Sequence, residues 1–263
     1  MGIVTAERLK IFIRYRELLY QLVMRDIKLK YRRSYLGYLW SVLNPLLLMC
    51  VVSAVFSQMF SRNIPNFPAY LICGQIMYNF MGDATREAMA SILGNAALLK
   101  KIYVPKYIFT VSRVTSTLVT TFFSFVALFV VLVFTGVPLR PTAFLCFVPV
   151  LQVYIFSIGI GLFLAQAAVF FRDIQYIYSV VLMAWMYLTP IFYNIEILPD
   201  WLFPIVKYFN PMYNYVTQLR LILLSGQVPP ISMILTGLAW GGIALIFGIW
   251  AFLLSKDKLI LFI

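Results

Sequence analysis

The most constraining feature of this sequence is a series of six apolar stretches, each long enough to cross a lipid bilayer. They lie near residues 37–60, 67–88, 109–135, 142–169, 175–194 and 232–254. A helix needs about 20 apolar residues to cross the hydrocarbon layer. A chain with 63% hydrophobic and 11% charged residues cannot enclose such stretches in a water-soluble core. The pattern predicts an all-α integral membrane protein with six transmembrane helices.

The basic residues are distributed unevenly between the two sides of these stretches. Seventeen of the 21 Lys and Arg residues lie in or beside the two tails and the second and fourth connections, and four lie on the other side. Connections rich in Lys and Arg remain in the cytoplasm. We therefore predict that both termini are cytoplasmic and that the chain crosses the cytoplasmic membrane several times.

The N-terminal region is more highly charged than the rest. We divide the chain into a cytoplasmic segment, residues 1–36, and a six-span membrane domain, residues 37–263. Between residues 7 and 33 polar residues recur every three or four positions, at Lys10, Arg14, Glu17, Gln21, Arg25, Lys28 and Arg32. Apolar residues mark another face, at Phe12, Leu19, Val23 and Ile27. This spacing predicts an amphipathic helix that lies along the cytoplasmic membrane surface.

The basic face of this helix has two interpretations. It anchors the chain in anionic headgroups, or it also offers a surface to a cytosolic partner or to an anionic headgroup of a substrate. The residues expected at that surface are Arg25, Lys28, Lys30, Arg32 and Arg33.

Prolines interrupt the apolar sequence before the last stretch. Pro199, Pro204 and Pro211 divide it into pieces near 200–209 and 212–224, each about half the length of a crossing. Broken helices at membrane depth persist where protein or a water-filled cavity covers their free backbone groups. We expect two short re-entrant half-helices at the outer mouth of a pathway, with a surface loop as the alternative.

Few residues offer chemistry of their own. The chain has no His and no glycine-rich phosphate-binding motif, so energy-driven work requires a nucleotide site on another chain. Asp83, Arg86 and Glu87 lie toward the cytoplasmic end of the second stretch, where Asp83 and Arg86 are spaced to pair. This cluster is interpreted as a structural lock or as part of a gate or proton path.

Aromatic residues make up 17% of the chain. Some lie well within apolar stretches, among them Tyr78, Phe80, Phe123 and Tyr187. Such rings pack helices together, or they line a pore in which a sugar stacks on the ring and bonds the Tyr hydroxyl. Small residues in the fourth and sixth stretches, including Gly161, Gly237, Gly241 and Gly248, would permit close helix contacts.

Short motifs occur in a characteristic order between about residues 18 and 255. They are Arg25-Asp26 with Tyr31, Ser34, Leu36-Gly37, Trp40 and Asn44-Pro45; Asn95 through Leu99-Lys100 to Pro105-Lys106; Phe171-Arg172-Asp173; Thr189-Pro190-Ile191-Phe192-Tyr193; and Asn210-Pro211 with Arg220. In order, spacing and topology these motifs resemble the permease subunits of polysaccharide-exporting ABC transporters of the ABC-2 type.

The resemblance implies a function and a set of partners. Such permeases are homodimers that work with two copies of a separate ATPase, and they move lipid-linked O-antigen, capsular or teichoic-acid polymers outward across the bacterial cytoplasmic (inner) membrane. ATP and Mg would then be bound by the ATPase, and this chain would be neither an enzyme nor a binder of cofactors or nucleic acid. The coupling segment, residues 95–106, would dock on the ATPase through Asn95, Leu98, Leu99, Lys100, Lys101 and Pro105. The outer gate would contain Pro204, Asn210, Pro211 and Arg220.

Two other classes of protein remain as alternatives. A permease of an ABC exporter for drugs or small lipids has the same architecture and differs only in substrate. An integral-membrane enzyme acting on lipid-linked sugars would also suit a basic, aromatic chain. Such an enzyme needs reactive groups gathered at one membrane depth, whereas the nine acidic residues here are scattered through tail, loops and span ends.

Overall fold

The computed structural model describes residues 15–32, 35–60, 64–101 and 104–255. Within these ranges the chain forms α-helices and no β-strand. The helices are α1 Arg16–Tyr31, α2 Leu39–Phe60, α3 Phe67–Gly94, α4 Ala96–Leu99, α5 Tyr107–Phe134, α6 Phe147–Phe170, α7 Ile174–Leu188, α8 Phe203–Phe209, α9 Pro211–Arg220 and α10 Ile231–Ser255. Two 3-10 helices, Pro141–Cys146 and Ile195–Ile197, and one π-helix, Leu221–Ser225, lie between them.

Four helical segments are long and apolar enough to cross a membrane. They are Leu39–Ser57, Tyr107–Phe134, Pro141–Phe170 and Ile231–Leu254. These segments correspond to the first, third, fourth and sixth apolar stretches, and their ends agree with the expected ones within a few residues. The all-α membrane architecture is therefore confirmed, whereas six spans and cytoplasmic termini stay predictions.

The second expected span is α3, the central helix of the fold. It packs against α2, α5, α6 and α9, and Leu71, Ile72 and Met77 are fully buried in these contacts. Gln75 and Asn79 interrupt its apolar sequence, so α3 is less apolar than the four segments named above. Gln75 is buried against neighbouring helices and need not face hydrocarbon, whereas Asn79 is exposed.

The fifth expected span, near 175–194, is shorter in the structure. Helix α7 has 15 residues, which is about 22 Å at 1.5 Å per residue and less than the roughly 30 Å hydrocarbon layer. It ends because Thr189 precedes Pro190, whose ring disfavours helical backbone in the residue before it. Thr189 accordingly has φ −93° and ψ 125°. By itself α7 is too short for an upright crossing.

The two expected half-helices are present as α8 and α9. Asn210 caps α9, because its Oδ1 accepts hydrogen bonds from the backbone N–H groups of Met212 and Tyr213. Pro211 occupies the first position of the helix, where its missing N–H has no intrahelical partner to lose. Gly226, with φ +65°, ends the π-helix that follows. How deeply the pair enters the membrane stays a prediction.

Glycines bring α6 and α10 into direct backbone contact. A side chain at Gly159 would meet the backbone of Ala244, and a side chain at Gly248 would meet the backbone of Gly159. On another face of α6, a β-carbon at Gly161 would press on that of Ala88 in α3. The expectation that small residues permit close helix packing is therefore confirmed at Gly161 and Gly248.

We expect Gly248→Ala to lower the stability of the protein by about 2 kcal/mol or more, because the added methyl group must separate two backbones. The matched control is Gly242→Ala in the same helix, where a β-carbon meets nothing within 4 Å. That control should be neutral or stabilising, since Ala favours helix over Gly. Thermal unfolding in detergent, followed by circular dichroism, measures both. Equal melting of the two variants would contradict close packing of α6 on α10.

Candidate functional site

The apolar face of α1 packs on the protein itself. Leu22, Val23 and Ile27 are buried. Leu22 belongs to an apolar cluster formed with Ile108 and Phe109, against which further side chains pack, among them Leu18, Leu19, Leu98, Leu99 and Tyr107. A helix is present over Arg16–Tyr31 with its apolar face buried; residues 7–14 and 33 lie outside the described residues, and the position of the helix at the membrane surface stays a prediction. Its apolar face contacts α5 and the coupling segment, so the helix is more than a surface anchor.

A buried carboxylate lies at the junction of α1 and α5. The side chain of Asp26 is 2% exposed and pairs with Arg25 at 3.0 Å and with Arg113 at 3.3 Å. The contact between Arg113 Nε and Asp26 Oδ2 is one of charge, without the geometry of a hydrogen bond. Arg113 also donates from Nη1 to Glu87 Oε2 on α3 at 3.2 Å. Two guanidinium groups thus neutralise Asp26 where three helices meet.

Asn95 connects this carboxylate to the coupling segment. It is buried at the junction of α3 and α4. Its Oδ1 accepts a hydrogen bond from Arg25 Nη2 at 3.0 Å, and its Nδ2 donates to the carbonyl of Ser91 at 2.8 Å. Its own carbonyl accepts from the backbone N–H groups of Leu98 and Leu99. We call Arg25, Asp26, Glu87, Asn95 and Arg113 the Asp26 network.

The coupling segment has an inner and an outer face. Leu98 and Leu99 are partly buried and pack against the apolar cluster around Leu22. Ala97, Lys100 and Lys101 are exposed. Pro105, partly buried, lies just before α5. The segment therefore presents two lysines to its surroundings, and its leucines hold it on the subunit.

The basic residues expected at a headgroup surface divide into two groups. Lys28, Lys30 and Arg32 are exposed on α1 or just after it. Arg25 is held in the Asp26 network instead, by its bonds to Asp26 and Asn95. Arg33 lies outside the described part of the chain.

Asp83 and Arg86 form the pair that their spacing predicts. The distance from Arg86 Nη2 to Asp83 Oδ1 is 3.3 Å, and the two side chains are 55% and 53% exposed respectively. Exposed pairs of this kind contribute about 0–1 kcal/mol. The pair therefore contributes little to stability, and a role in gating stays a prediction.

Near the N-terminal end of α3, the side chain of Arg220 binds three backbone carbonyls. Arg220 is buried, and its guanidinium donates to Pro190 at 2.7 Å, to Ile191 at 3.1 Å and to Tyr70 at 3.2 Å. The guanidinium carbon lies 3.3 Å from the centroid of the Tyr70 ring, a cation–π contact. Gly74 makes room for it, since a β-carbon there would lie 2.9 Å from Nη2. We call this arrangement the Arg220 clasp.

The clasp joins three parts of the chain and borders a cavity. It connects the first turn of α3, the segment after α7 and the end of α9. A cavity of about 450 Å³ lies beside it, with Tyr70, Tyr213 and Thr217 in its wall. The carbonyls of Pro190 and Ile191 lie outside any helix, and because the guanidinium donates to both, it allows irregular backbone to persist among apolar helices.

Asn210 and Gln218 attach the half-helices to their neighbours. Asn210 Oδ1 accepts from the indole N–H of Trp185 at 2.9 Å, which fixes the start of α9 to α7. Gln218 is fully buried and donates to Gln152 Oε1 on α6 at 2.8 Å. Pro204, on α8, is exposed. Of the residues expected at an outer gate, Asn210, Pro211 and Arg220 therefore lie in packed parts of the fold, and Pro204 lies at its surface.

The four aromatic residues named as pore candidates occupy different environments. Tyr78 and Phe80 are buried inside the subunit, and the Tyr78 hydroxyl donates to the carbonyl of Leu182. Phe123 is partly buried, with its ring centroid 5.5 Å from that of Tyr38. Tyr187 is 62% exposed on α7. A pore role stays a prediction for all four, and Tyr187 has the most open surface.

The Asp26 network includes residues that the sequence patterns did not single out as a site. Asp26 belongs to a predicted motif only and Arg113 to no predicted site, while Glu87 was expected in a cluster with Asp83 and Arg86. One signal was present: Asp26 lies four residues after Leu22 and directly before Ile27, and so falls on the apolar face of α1. A lone carboxylate on such a face indicates a buried cationic partner.

Comparison with known proteins agrees with the motifs. The family model described as ABC-2 type transporter matches residues 17–224. An O-antigen export system permease protein RfbA of Myxococcus xanthus is 30% identical over 220 residues, covering 82% of this chain and 83% of the relative.

Two further relatives extend the comparison to another organism and another polymer. The RfbA protein of Klebsiella pneumoniae is 27% identical over 81% of this chain and 82% of the relative. The capsule polysaccharide export inner-membrane protein CtrC of Neisseria meningitidis is 26% identical over 68% of this chain and 69% of the relative. The family match covers both the Asp26 network and the Arg220 clasp, and the chain belongs to the ABC-2 type transporter membrane family.

Proposed function

We propose that this chain is the channel-forming permease subunit of an ATP-driven exporter of lipid-linked polysaccharide. The observation that carries the proposal is the similarity over about four-fifths of the chain to permeases named for O-antigen export, joined by proteins named for capsule export. On this proposal the chain hydrolyses nothing itself. A separate ATPase subunit binds ATP and Mg, and two copies of each subunit form the exporter.

The proposed topology has six crossings and both termini in the cytoplasm of a bacterial inner membrane. Helix α3 and the short helix α7 supply the second and fifth crossings in addition to the four long apolar segments. The surplus of basic residues on one side supports this orientation. Much of α2 and α7 exposes apolar side chains, including Leu47, Val51, Val180 and Met183. Lipid and a second copy of the chain would cover them in the homodimer.

Coupling to the ATPase is proposed to pass through the coupling segment. Lys100 and Lys101 are the exposed residues that would meet the ATPase, and Leu98 and Leu99 hold the segment on the cluster below. A push on this segment reaches α1 through Asn95 and Arg25, and it reaches α5 through Asp26 and Arg113. The three helices would then move together and open a path between the two copies.

The remaining candidate residues receive roles at the two membrane surfaces. Lys28, Lys30 and Arg32, with Arg33, would attract the phosphate of the lipid carrier at the cytoplasmic surface. Asn210 and Arg220 hold the half-helices that would form the outer gate. Tyr187, on the exposed side of α7, would be the aromatic residue best placed to contact the polymer.

We expect the double variant Lys100→Glu, Lys101→Glu to weaken binding of the ATPase by at least about tenfold. The two glutamates would place negative charge against an ATPase surface that is complementary to lysines. The measurement is the affinity of the detergent-solubilised permease for its ATPase at low salt. Export should fall in parallel with the affinity.

The matched control is Lys28→Glu, Arg32→Glu, which makes the same change in net charge on the exposed part of α1. It should bind the ATPase within about twofold of the original chain, since these residues lie outside the docking surface. Equal losses in the two variants would mean that attraction is general and that residues 95–106 have no special part in docking.

A further inference from the structure

A polar groove opens between α2, α3 and α5, in the part of the protein that is proposed to lie in the membrane. Its volume is about 340 Å³, within the range of small-molecule sites. Trp40 and Asn44 line one wall from α2, Asn79 and Asp83 line a second from α3, and Thr117 and Thr121 form part of a third from α5. The groove lies outside the Asp26 network, the coupling segment and the Arg220 clasp.

Three polar side chains in the groove, those of Trp40, Asn44 and Asn79, are open and have no partner among the described residues. Asn44 and Asn79 are exposed, and Trp40 is 45% exposed. Among the described residues, the side-chain amides of Asn44 and Asn79 make no hydrogen bond, and the indole N–H of Trp40 makes none either. Asn79 lies twelve residues after Phe67, about 18 Å along α3 and near the middle of its length. Unsatisfied amides at such a depth are too costly to face hydrocarbon, so this surface faces water or a polar ligand.

The walls of the groove are held in place by an unusual contact between helices. Pro45 has no N–H to donate to the carbonyl of Ser41, four residues before it. Ser124 on α5 supplies the missing donor, with its hydroxyl 3.1 Å from that carbonyl. Thr117 and Thr121 donate to carbonyls of their own helix. Their hydroxyl oxygens still have lone pairs to accept from a ligand.

The charge and chemistry of the lining favour one kind of ligand. Lys30 and Asp83 are the charged residues that line the groove, so the lining carries no excess charge that would select a phosphate. The amides offer both donors and acceptors, and the Trp40 ring offers an apolar face beside its N–H. Hydroxyl-rich, uncharged sugar rings present matching donors, acceptors and apolar faces.

We propose that this groove is a carbohydrate-binding site on each subunit, which takes the sugar units of the transported polymer as they leave the cytoplasmic side. The site rests on the proposed function, since it concerns the same substrate. Asn44 and Asn79 hydrogen-bond the sugar hydroxyls, and Trp40 packs on the ring. Hydroxyl groups and apolar ring faces are common to most sugars, so these contacts tolerate different sugars along a chain, which suits a polymer that must slide.

Photo-crosslinking in cells tests the site. The photoreactive amino acid benzoylphenylalanine replaces Asn44 or Asn79 in the full chain, together with its ATPase, and the cells' own polysaccharide is labelled with a tritiated monosaccharide. We expect an adduct at both positions that carries tritium and loses it on periodate oxidation. The control position is Val126, which is exposed on α5 outside the groove lining. No labelled adduct should form there.

A second measurement uses substitutions. Asn79→Leu should lower the export rate by about tenfold through the loss of its hydrogen bonds to sugar, whereas Asn79→Gln, which keeps the amide, should stay within about threefold. The amount of permease–ATPase complex recovered shows that each variant has folded. Equal export by the two variants, with the complex intact, would overturn the role of Asn79.

The outcomes separate the groove from the proposed function. Adducts at residues 44 and 79 that contain only phospholipid, or only a second copy of the chain, overturn the carbohydrate site while export by the original chain still stands. Polysaccharide export that continues after deletion of the chain overturns the proposed function itself.

Discussion

Replacing Arg220 with leucine is expected to destabilise the protein by at least about 3 kcal/mol and to abolish export. The substitution leaves the buried carbonyl of Ile191 without a donor and leaves that of Pro190 with only the Tyr70 hydroxyl at 3.4 Å, and each such loss costs about 1–3 kcal/mol. It also removes the cation–π contact with Tyr70. The measurement is thermal unfolding of the purified permease in detergent, with export measured in cells.

Arg220→Lys distinguishes the shape of the side chain from its charge. A lysine keeps the charge but lacks the planar fork that spans several carbonyls, so we expect a stability between those of the original chain and Arg220→Leu. Lys207→Gln, on the exposed surface of α8, is the control; it removes only exposed cation–π contacts with Phe203 and Tyr208 and should change stability by no more than about 1 kcal/mol. Melting of Arg220→Leu at the temperature of the original chain would show that the clasp does not hold the outer segments.

Asp26→Asn is expected to cost about 1–2 kcal/mol of stability and to uncouple ATP hydrolysis from export. The substitution preserves the shape of the side chain but leaves Arg25 and Arg113 close together without their shared carboxylate. The loss is destabilising because Arg113 keeps only Glu87 as an anionic partner, whereas partial exposure of Arg25 and Arg113 limits the cost. If α1, the coupling segment and α5 move as a unit, the variant complex should still hydrolyse ATP and should export poorly. The measurements are melting of the permease, hydrolysis by the complex and export.

A double-mutant cycle tests whether Asp26 acts through Arg113. Adding Arg113→Gln to Asp26→Asn should restore part of the lost stability, with a coupling energy of about 1–3 kcal/mol. Asp83→Asn is the control, because it breaks an exposed pair and should change stability by less than about 1 kcal/mol. Strict additivity of the two substitutions would exclude a direct interaction between Asp26 and Arg113.

The long helices were predictable because composition alone determines them. Runs of about 20 apolar residues satisfy their backbone hydrogen bonds as helices whatever surrounds them, and the ends of α2, α5, α6 and α10 agree with the sequence pattern. The half-helices were predictable for a similar reason, since Pro204 and Pro211 divide the segment locally. Helix α7 was predicted too long, because Pro190 ends it within an apolar run that hydropathy counts as continuous.

The sequence predicts where the sites lie along the chain better than it predicts which side chains contact each other. The amphipathic pattern predicts that α1 lies at the cytoplasmic surface, but hydropathy does not show whether an apolar face meets lipid or protein. In the structure Leu22 meets Ile108 and Phe109. Arg25 was expected among residues that attract headgroups, yet its bonds to Asp26 and Asn95 place it in a network between helices. Side-chain pairing across 70 residues depends on the packing of helices, which no local pattern reports.

The sequence by itself determined that this protein is a helical membrane protein and belongs with the ABC-2 permeases. Hydropathy, charge distribution and the order of motifs can all be read from the chain without its tertiary structure. Only the tertiary structure decided which polar residues face one another. It placed Asp26 against Arg113, Arg220 against the carbonyls after α7, and Asn44 opposite Asn79 in an open groove. In a membrane protein a polar side chain must find a partner or water, and helix packing determines which of these it meets.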